Sequence, residues 1–330
     1  MDSNTRRSRR GARAACIRCE VVWRRGIPVG RNGAGRALHV IVEKRLGPTY
    51  ATPGEKVTAD ELRRLGCSDA LVAYLAPSPA HMALKHPREW FWTDRKWFKG
   101  ASREVTDEIA RFAGGFFCEL PLEEQAAMMG IRIVHAPGVR FNSGRGLWQS
   151  AAGNGISIEE LGLEISLRPG ERGSSYEGRG LTAFWFMLSK TFEDMNGYWL
   201  GYEPTKRQRY QPGPDYARMV LASVDAVLAD PKGIHRRHRE YLQTLWRGLE
   251  LRDVTDWIEI VGGSFIRRYH EHCYSVGANG QGGHPDLTIS GSELRFVEVK
   301  GKDRMHANQA SWIVDIAEPL GLDVTVLKVG

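Results

Sequence analysis

The sequence has little of what would place a chain in a membrane or an oxidising compartment. No run approaches about 18 continuous apolar residues, so no transmembrane helix is expected. The five cysteines, Cys16, Cys19, Cys67, Cys118 and Cys273, are odd in number and scattered, which argues against a disulfide framework and for a reducing compartment. Cys16 and Cys19 form a lone CxxC, with no second pair or HxxxH at a suitable spacing to complete a four-ligand zinc site. The glycine-rich pieces at 33–35, 144–146 and 153–155 do not follow a strand with a phosphate-loop lysine, so a nucleotide loop is rejected. No internal repeat is visible. Residues 1–18 carry six arginines and no apolar stretch, which excludes a secretory signal peptide.

What is present points to a folded, basic chain. A hydrophobic share of 42% supports a real core and excludes global disorder. A formal net charge of +7 favours a polyanionic partner. The 330 residues allow two domains or one large one. Residues 1–36 read as a disordered basic arm and 37–150 as an N-terminal domain of uncertain α+β fold and unknown role. The glycine- and serine-rich stretch 136–175 reads as a junction, and 165–330 as a second domain.

Within the first domain, 38–43 reads as a strand, and 58–65 as a short helix capped by Thr58 with Glu61 at its third position. The aromatic cluster Trp90-Phe91-Trp92 to Trp97-Phe98 reads first as core and second as a base-stacking surface. In the second domain, Leu181, Phe184, Trp185, Leu188 and Phe192 fall at helical spacing. Two further amphipathic helices are predicted over 216–228 and 235–249, broken apart by Pro231-Lys232-Gly233. The basic start of the latter, from His235 to Arg239, is either a solvated face or a contact for DNA backbone. Strands follow over 285–290 and Leu294–Lys300, joined by Gly291-Ser292-Glu293. A helix is predicted over 307–320 and a last strand over Asp323–Val329. A strand, helix, strand order implies a right-handed parallel pairing of the last two strands.

The chemistry concentrates on that hairpin. Glu298 and Lys300 lie two apart in one strand and share a face, while Val299 faces the other way. With a three-residue loop, Ser290 opposes Leu294, Thr288 opposes Phe296 and Asp286 opposes Glu298. Two directly opposed carboxylates repel unless a divalent cation sits between them. A lysine beside such a site orients or deprotonates an attacking water, or steadies developing negative charge. A metal, a positioned water and a cation are what phosphodiester hydrolysis needs. The arrangement depends on an odd-numbered loop, because a two-residue turn would set Asp286 and Glu298 on opposite faces. Gly282 and Gly283, just before, allow another segment to approach closely.

The run Gly283-His284-Pro285-Asp286-Leu287, then Phe296-Val297-Glu298-Val299-Lys300-Gly301, then Asp303-Arg304, Gln309 and Trp312, resembles the virus-type replication–repair nuclease (VRR-NUC) branch of the PD-(D/E)XK superfamily, to which the Fanconi-associated nuclease belongs. The run spans 30 residues, Gly283 to Trp312. It implies an α/β restriction-endonuclease-like fold, a mixed sheet flanked by helices. It implies Mg²⁺- or Mn²⁺-dependent DNA cleavage, with DNA, branched or flapped, as partner; action on DNA, with no secretory signal or transmembrane segment read in the sequence, gives the expectation of a cytoplasmic location. It further implies roles for Gln309 near the site and for the Val299 carbonyl on the metal. Tyr176-Glu177-Gly178-Arg179 is similar to the family's glutamate-bearing helix, which makes Glu177 a candidate metal ligand. Glu177 stands four residues before Leu181 on the buried stripe, where a carboxylate needs a partner or a metal. The alternative for Glu177 is a helix-start glutamate favoured by the macrodipole.

Arg179, Lys302 and Arg304 are candidate DNA contacts, the last two alternatively an exposed loop. His284 and His306 read first as neutral packing histidines and second as a general acid for the leaving oxygen. The biological reading stays open between an endonuclease of repair, recombination or defence, an antibacterial DNase toxin with an immunity partner, and a non-catalytic DNA-binding protein on a nuclease fold.

Overall fold

The computed structural model of the chain describes residues 59–75, 90–91, 95, 98–142, 146–175, 179–200, 202–203, 208–209, 213–245, 250–278, 280 and 282–330. The basic arm, the strand at 38–43, Thr58, the CxxC pair and Glu177 lie outside these residues. No helix among the described residues is long and apolar enough to cross a membrane.

Two compact units divide the chain near residue 132. The described part of the first, which ends at Arg132, contains helices: α1 (Ala59–Arg64), α2 (Asp69–Leu75), α3 (Arg103–Ala113) and α4 (Leu122–Met129). Ser102 caps α3 by accepting from the Val105 N–H, and Gly114, in the left-handed region at φ 73°, ends it. Trp90, Phe91 and Phe98 are buried with Phe116 and Phe117, so these three are core, while Trp92 and Trp97 lie outside the described residues.

The second unit begins with β1 (Arg132–Ala136), β2 (Arg140–Asn142), β3 (Leu147–Gln149), β4 (Gly155–Ile156), α5 (Ile158–Ser166) and β5 (Arg172–Ser174). The stretch read as a junction, 136–175, therefore lies inside this unit rather than between the two. Gly153 sits in a turn, Ser157 caps α5 and Gly162 lies within it, while Ala136, Trp148 and Leu161 join the sheet core. Then come α6 (Arg179–Asn196), the short pair β6 (Tyr202–Glu203) and β7 (Gln208–Arg209), α7 (Pro214–Ala229), α8 (Pro231–Arg237), α9 (Arg239–Leu245), α10 (Leu251–Val261) and α11 (Gly263–Val276). The last elements are β8 (Leu287–Ser290), β9 (Leu294–Lys300), α12 and β10 (Asp323–Val329). Helix α12 runs over Ala307–Trp312, widens into a π turn at Ile313–Ala317 and ends at Glu318–Leu320.

Strands β1, β10, β9, β8 and β5 form one mixed sheet in that order. Strand β8 pairs antiparallel with β9 in the expected register, Ser290 to Leu294 and Thr288 to Phe296. Strand β10 pairs parallel with β9, Leu327 beside Val299 and Val326 beside Glu298. The fold class is the expected one, a mixed α/β sheet flanked by helices. On one face Leu287, Ile289, Val297, Val299, Leu327 and Val329 bury against Leu161 of α5. On the other, Phe296 meets Phe265 of α11 and Trp312 of α12. Both faces are covered, so the alternate residues Glu298 and Lys300 are carried into the interior by β9 itself.

Gly162 lets α5 lie flat on β9, since a Cβ there would stand 2.7 Å from Val299 Cγ2. Gly162→Leu is expected to destabilise the protein by about 1–3 kcal/mol through overpacking, read as a lower urea midpoint at unchanged slope.

Two sequence expectations need correction. The two helices do part here, but at Asp230 and not over Pro231-Lys232-Gly233: Pro231 is the first residue of α8, where its missing N–H is no loss, and Asp230 caps it through the Gly233 N–H at 2.9 Å. The helix predicted over 235–249 divides at His238, which leaves helical geometry with ψ 16°.

Candidate active site

Asp286 sits immediately before β8. One of its oxygens, Oδ2, accepts the Val299 N–H at 2.7 Å, a backbone donor that has no strand partner beyond the end of β8. This bond turns the carboxyl towards β9. Glu298 is buried, with 1% of its surface exposed, and projects from the opposite face to Val299. Lys300 Nζ donates to Glu298 Oε1 at 2.6 Å, and Gln309 Nε2 donates to the same oxygen. The other oxygen, Oε2, is buried and has no hydrogen-bond partner among the described residues. The Asp286 and Glu298 carboxyls lie within hydrogen-bonding reach of each other.

Gln309 is fixed from behind. Its Oε1 accepts the His306 N–H at 2.8 Å, which ties the start of α12 to its own side chain. Gly283 packs under that same start, at φ 80°, with space for no side chain against Asn308 and Gln309. His284 is half-buried, its Nδ1 2.9 Å from the Pro285 carbonyl, its ring against Phe296 and Trp312. Burial drives its pKa down to about 4, so it is a neutral packing group. His306 is exposed.

The electrostatics follow from burial without enough positive charge. Glu298 is pushed up to about 8 from an ordinary 4.5, first by burial and then by the Asp286 carboxylate. Asp286 is also raised, by burial, with the Val299 N–H as the largest opposing influence. A carboxyl raised on folding takes up a proton as the chain folds, so stability falls as pH rises between about 4.5 and about 8. In chelator, the melting temperature is expected to drop across that window, and Glu298→Gln should flatten the drop. Thermal melts across the pH range test this, and identical profiles for both proteins would contradict it.

A residue that sequence reasoning missed stands close by. Glu159, half-buried in the first turn of α5, is near enough for its charge to raise the Asp286 pKa. The signal was present: Ser157 and Glu160 form a reciprocal capping box that fixes where α5 begins. No three His, Cys, Asp or Glu side chains among the described residues stand close enough to share an ion. Glu159 is thus a neighbour by charge, not part of a closed cage.

Of the remaining predicted site residues, Lys302 and Arg304 are exposed in the loop after β9. Arg179, at the start of α6, is drawn into an ion pair with the buried Asp253 of α10 at 3.1 Å. Its charge is met inside the protein. Asp286, Glu298, Lys300 and Gln309 are brought together.

No protein-family model matches the chain, and no curated protein matches it. Among solved structures it is similar to a crystal structure of paFAN1 bound to a 2-nucleotide 5′-flap DNA with gap, at 16% identity and a TM-score of 0.39, over 90% of this chain and 52% of that one. It is also similar to paFAN1 bound to a 1-nucleotide 5′-flap DNA with gap, at 18% identity and a TM-score of 0.38, over 82% of this chain and 48% of that one. The chain spans about half the length of these structures.

Proposed function

We propose that this chain is a divalent-metal-dependent deoxyribonuclease whose active site is Asp286, Glu298 and Lys300, with Gln309 as a positioning residue. The observation that carries the reading is the Glu298 carboxyl: buried, held through one oxygen by Lys300 and Gln309, unpartnered at the other, and set against a second carboxyl.

That unpartnered oxygen beside Asp286 fits a hard cation with oxygen ligands. Mg²⁺ keeps several waters and takes only one or two carboxylates, so two acids suffice without a protein cage. Asp286 and Glu298 would hold Mg²⁺ or Mn²⁺, with the Val299 carbonyl as a further ligand. When bound, the metal supplies a polarised phosphate and a water of lowered pKa.

The protein's own groups do the rest. Lys300 stands where it orients the attacking water and offsets the negative charge that grows on the phosphorus oxygens. Gln309 holds Glu298 in one rotamer, so the carboxylate needs no rearrangement when it ionises. Lys302 and Arg304, exposed beside the site, are placed to meet backbone phosphates. The basic balance of the chain favours such a polyanion.

The test is cleavage of plasmid, flapped and branched DNA with Mg²⁺, Mn²⁺ or chelator. Wild type is expected to cut only with metal, and Asp286→Ala not at all. Intact DNA under every metal condition overturns the proposal.

A further inference from the structure

Away from the hairpin, helices α8, α9 and the start of α10 enclose an open cleft of about 550 Å³. Its lining includes Lys232, His235, Arg236, Arg239 and Gln243. In α8, His235 and Arg236 stand three and four residues after Lys232, and in α9, Gln243 stands four after Arg239, so within each helix they share a face. The opposite face is anchored by Ile234, His238 and Leu242, all buried. The cations are therefore presented by a fixed surface, not by a loose tail.

Charge in the cleft is unbalanced. Lys232, Arg236 and Arg239 make no ion pair with any described residue. The lining also holds two acids: Glu250 pairs with Arg252 at 2.9 Å, and Asp230 accepts the Gly233 N–H at 2.9 Å, which leaves three cations against one carboxylate. Three like charges in one concavity repel each other and favour an anion that accepts several N–H donors.

We infer that this cleft is a phosphate-binding site, in which Arg236 and Arg239 grip the oxygens and Lys232 adds charge. A phosphate group matches the donors because an arginine fork pairs with two of its oxygens at once. It comes from the backbone of a nucleic-acid strand or from free inorganic phosphate. The strand source rests on the nuclease reading above; the site itself does not. His235 reports on occupancy. Burial and the Arg239 charge together lower its pKa. A bound anion opposes the Arg239 charge and shifts His235 upward.

The experiment follows the His235 ring by NMR in full-length, histidine-labelled protein with chelator present, so that no cleavage occurs. His235→Gln assigns the signal. Titrations across pH are run alone, with inorganic phosphate, and with a short single-stranded oligonucleotide. Ligand is expected to raise the His235 pKa by about one pH unit, and Arg236→Ala/Arg239→Ala is expected to abolish the rise. A rise with the oligonucleotide assigns the site to strand phosphate, and a rise with inorganic phosphate alone assigns it to the free ion. No rise with either ligand, or an equal rise in the double variant, overturns the inference. The readout needs no catalysis. A chain that fails to cut DNA yet shows the shift loses the nuclease reading and keeps this site, and the reverse result separates them equally.

Discussion

Lys300→Ala is expected to lower the single-turnover rate of DNA cleavage by about 10²–10⁴-fold, the range for losing one positioned acid–base or charge-stabilising group. The fold should survive. Lys300 is buried and bonded only to Glu298 Oε1 in the described structure, at 2.6 Å. Removing a buried ammonium ordinarily strands its carboxylate at a cost of several kcal/mol. Here Glu298 is already pushed up to about 8, so at neutral pH it keeps a proton and the loss is blunted. Lys300→Ala should therefore melt close to wild type in chelator and bind DNA with similar affinity. Cleavage kinetics, a melt and a binding isotherm on one preparation separate lost chemistry from lost structure. A variant that cuts at the wild-type rate removes Lys300 from the mechanism.

Gly283→Ala carries the largest expected effect on stability. A Cβ at this position would stand 2.0 Å from the Asn308 carbonyl oxygen and 2.6 Å from the Gln309 nitrogen. Both are backbone atoms, so no side chain can turn aside. The residue also has φ 80°, where an L side chain costs about 1–2 kcal/mol. Overpacking adds about 1–3 kcal/mol, for a total of about 2–5 kcal/mol. Gly321→Ala is the matched comparison: φ is 67° but nothing lies within 4 Å. It should show the conformational part alone, about 1–2 kcal/mol. The difference between the two urea midpoints measures the clash. Relief of that clash moves the start of α12 and with it Gln309, so Gly283→Ala should also lose cleavage beyond its stability deficit. Equal midpoints for both variants would show that the close approach of Gly283 to α12 is not rigid.

The hairpin was the most legible part of the chain, and the reason is local. A period of two, a three-residue loop and apolar neighbours determine which residues share a face. Asp286, Glu298 and Lys300 were therefore placed together from spacing alone, and the crossover rule supplied the parallel partner β10. Gln309 came from resemblance; its bond to Glu298 depends on the packing of Gly283 under α12, which no spacing rule encodes. Glu159 escaped because α5 lies in a glycine- and serine-rich stretch, and its approach to Asp286 crosses more than a hundred residues of sequence. Helices α10 and α11 went unread individually. Gly262 and Gly263 stand between them and interrupt the apolar period, yet Gly262 ends one helix at φ 79° and the next begins at once. The π turn in α12 is a packing adjustment of one extra residue and left no mark in the hydrophobic pattern. The basic run from His235 to Arg239 was legible as charge, but its division by the buried His238, which presents Arg236 and Arg239 to a cleft, was not.

The central claim is that Asp286 and Glu298 hold a divalent cation at the oxygen the protein leaves unpartnered. Anomalous diffraction from crystals soaked in Mn²⁺ tests it most directly. The expected result is a Mn²⁺ peak at direct coordination distance from both carboxylates, absent from crystals of Asp286→Asn. Fully occupied Mn²⁺ elsewhere on the protein, with no density between Asp286 and Glu298, would contradict it.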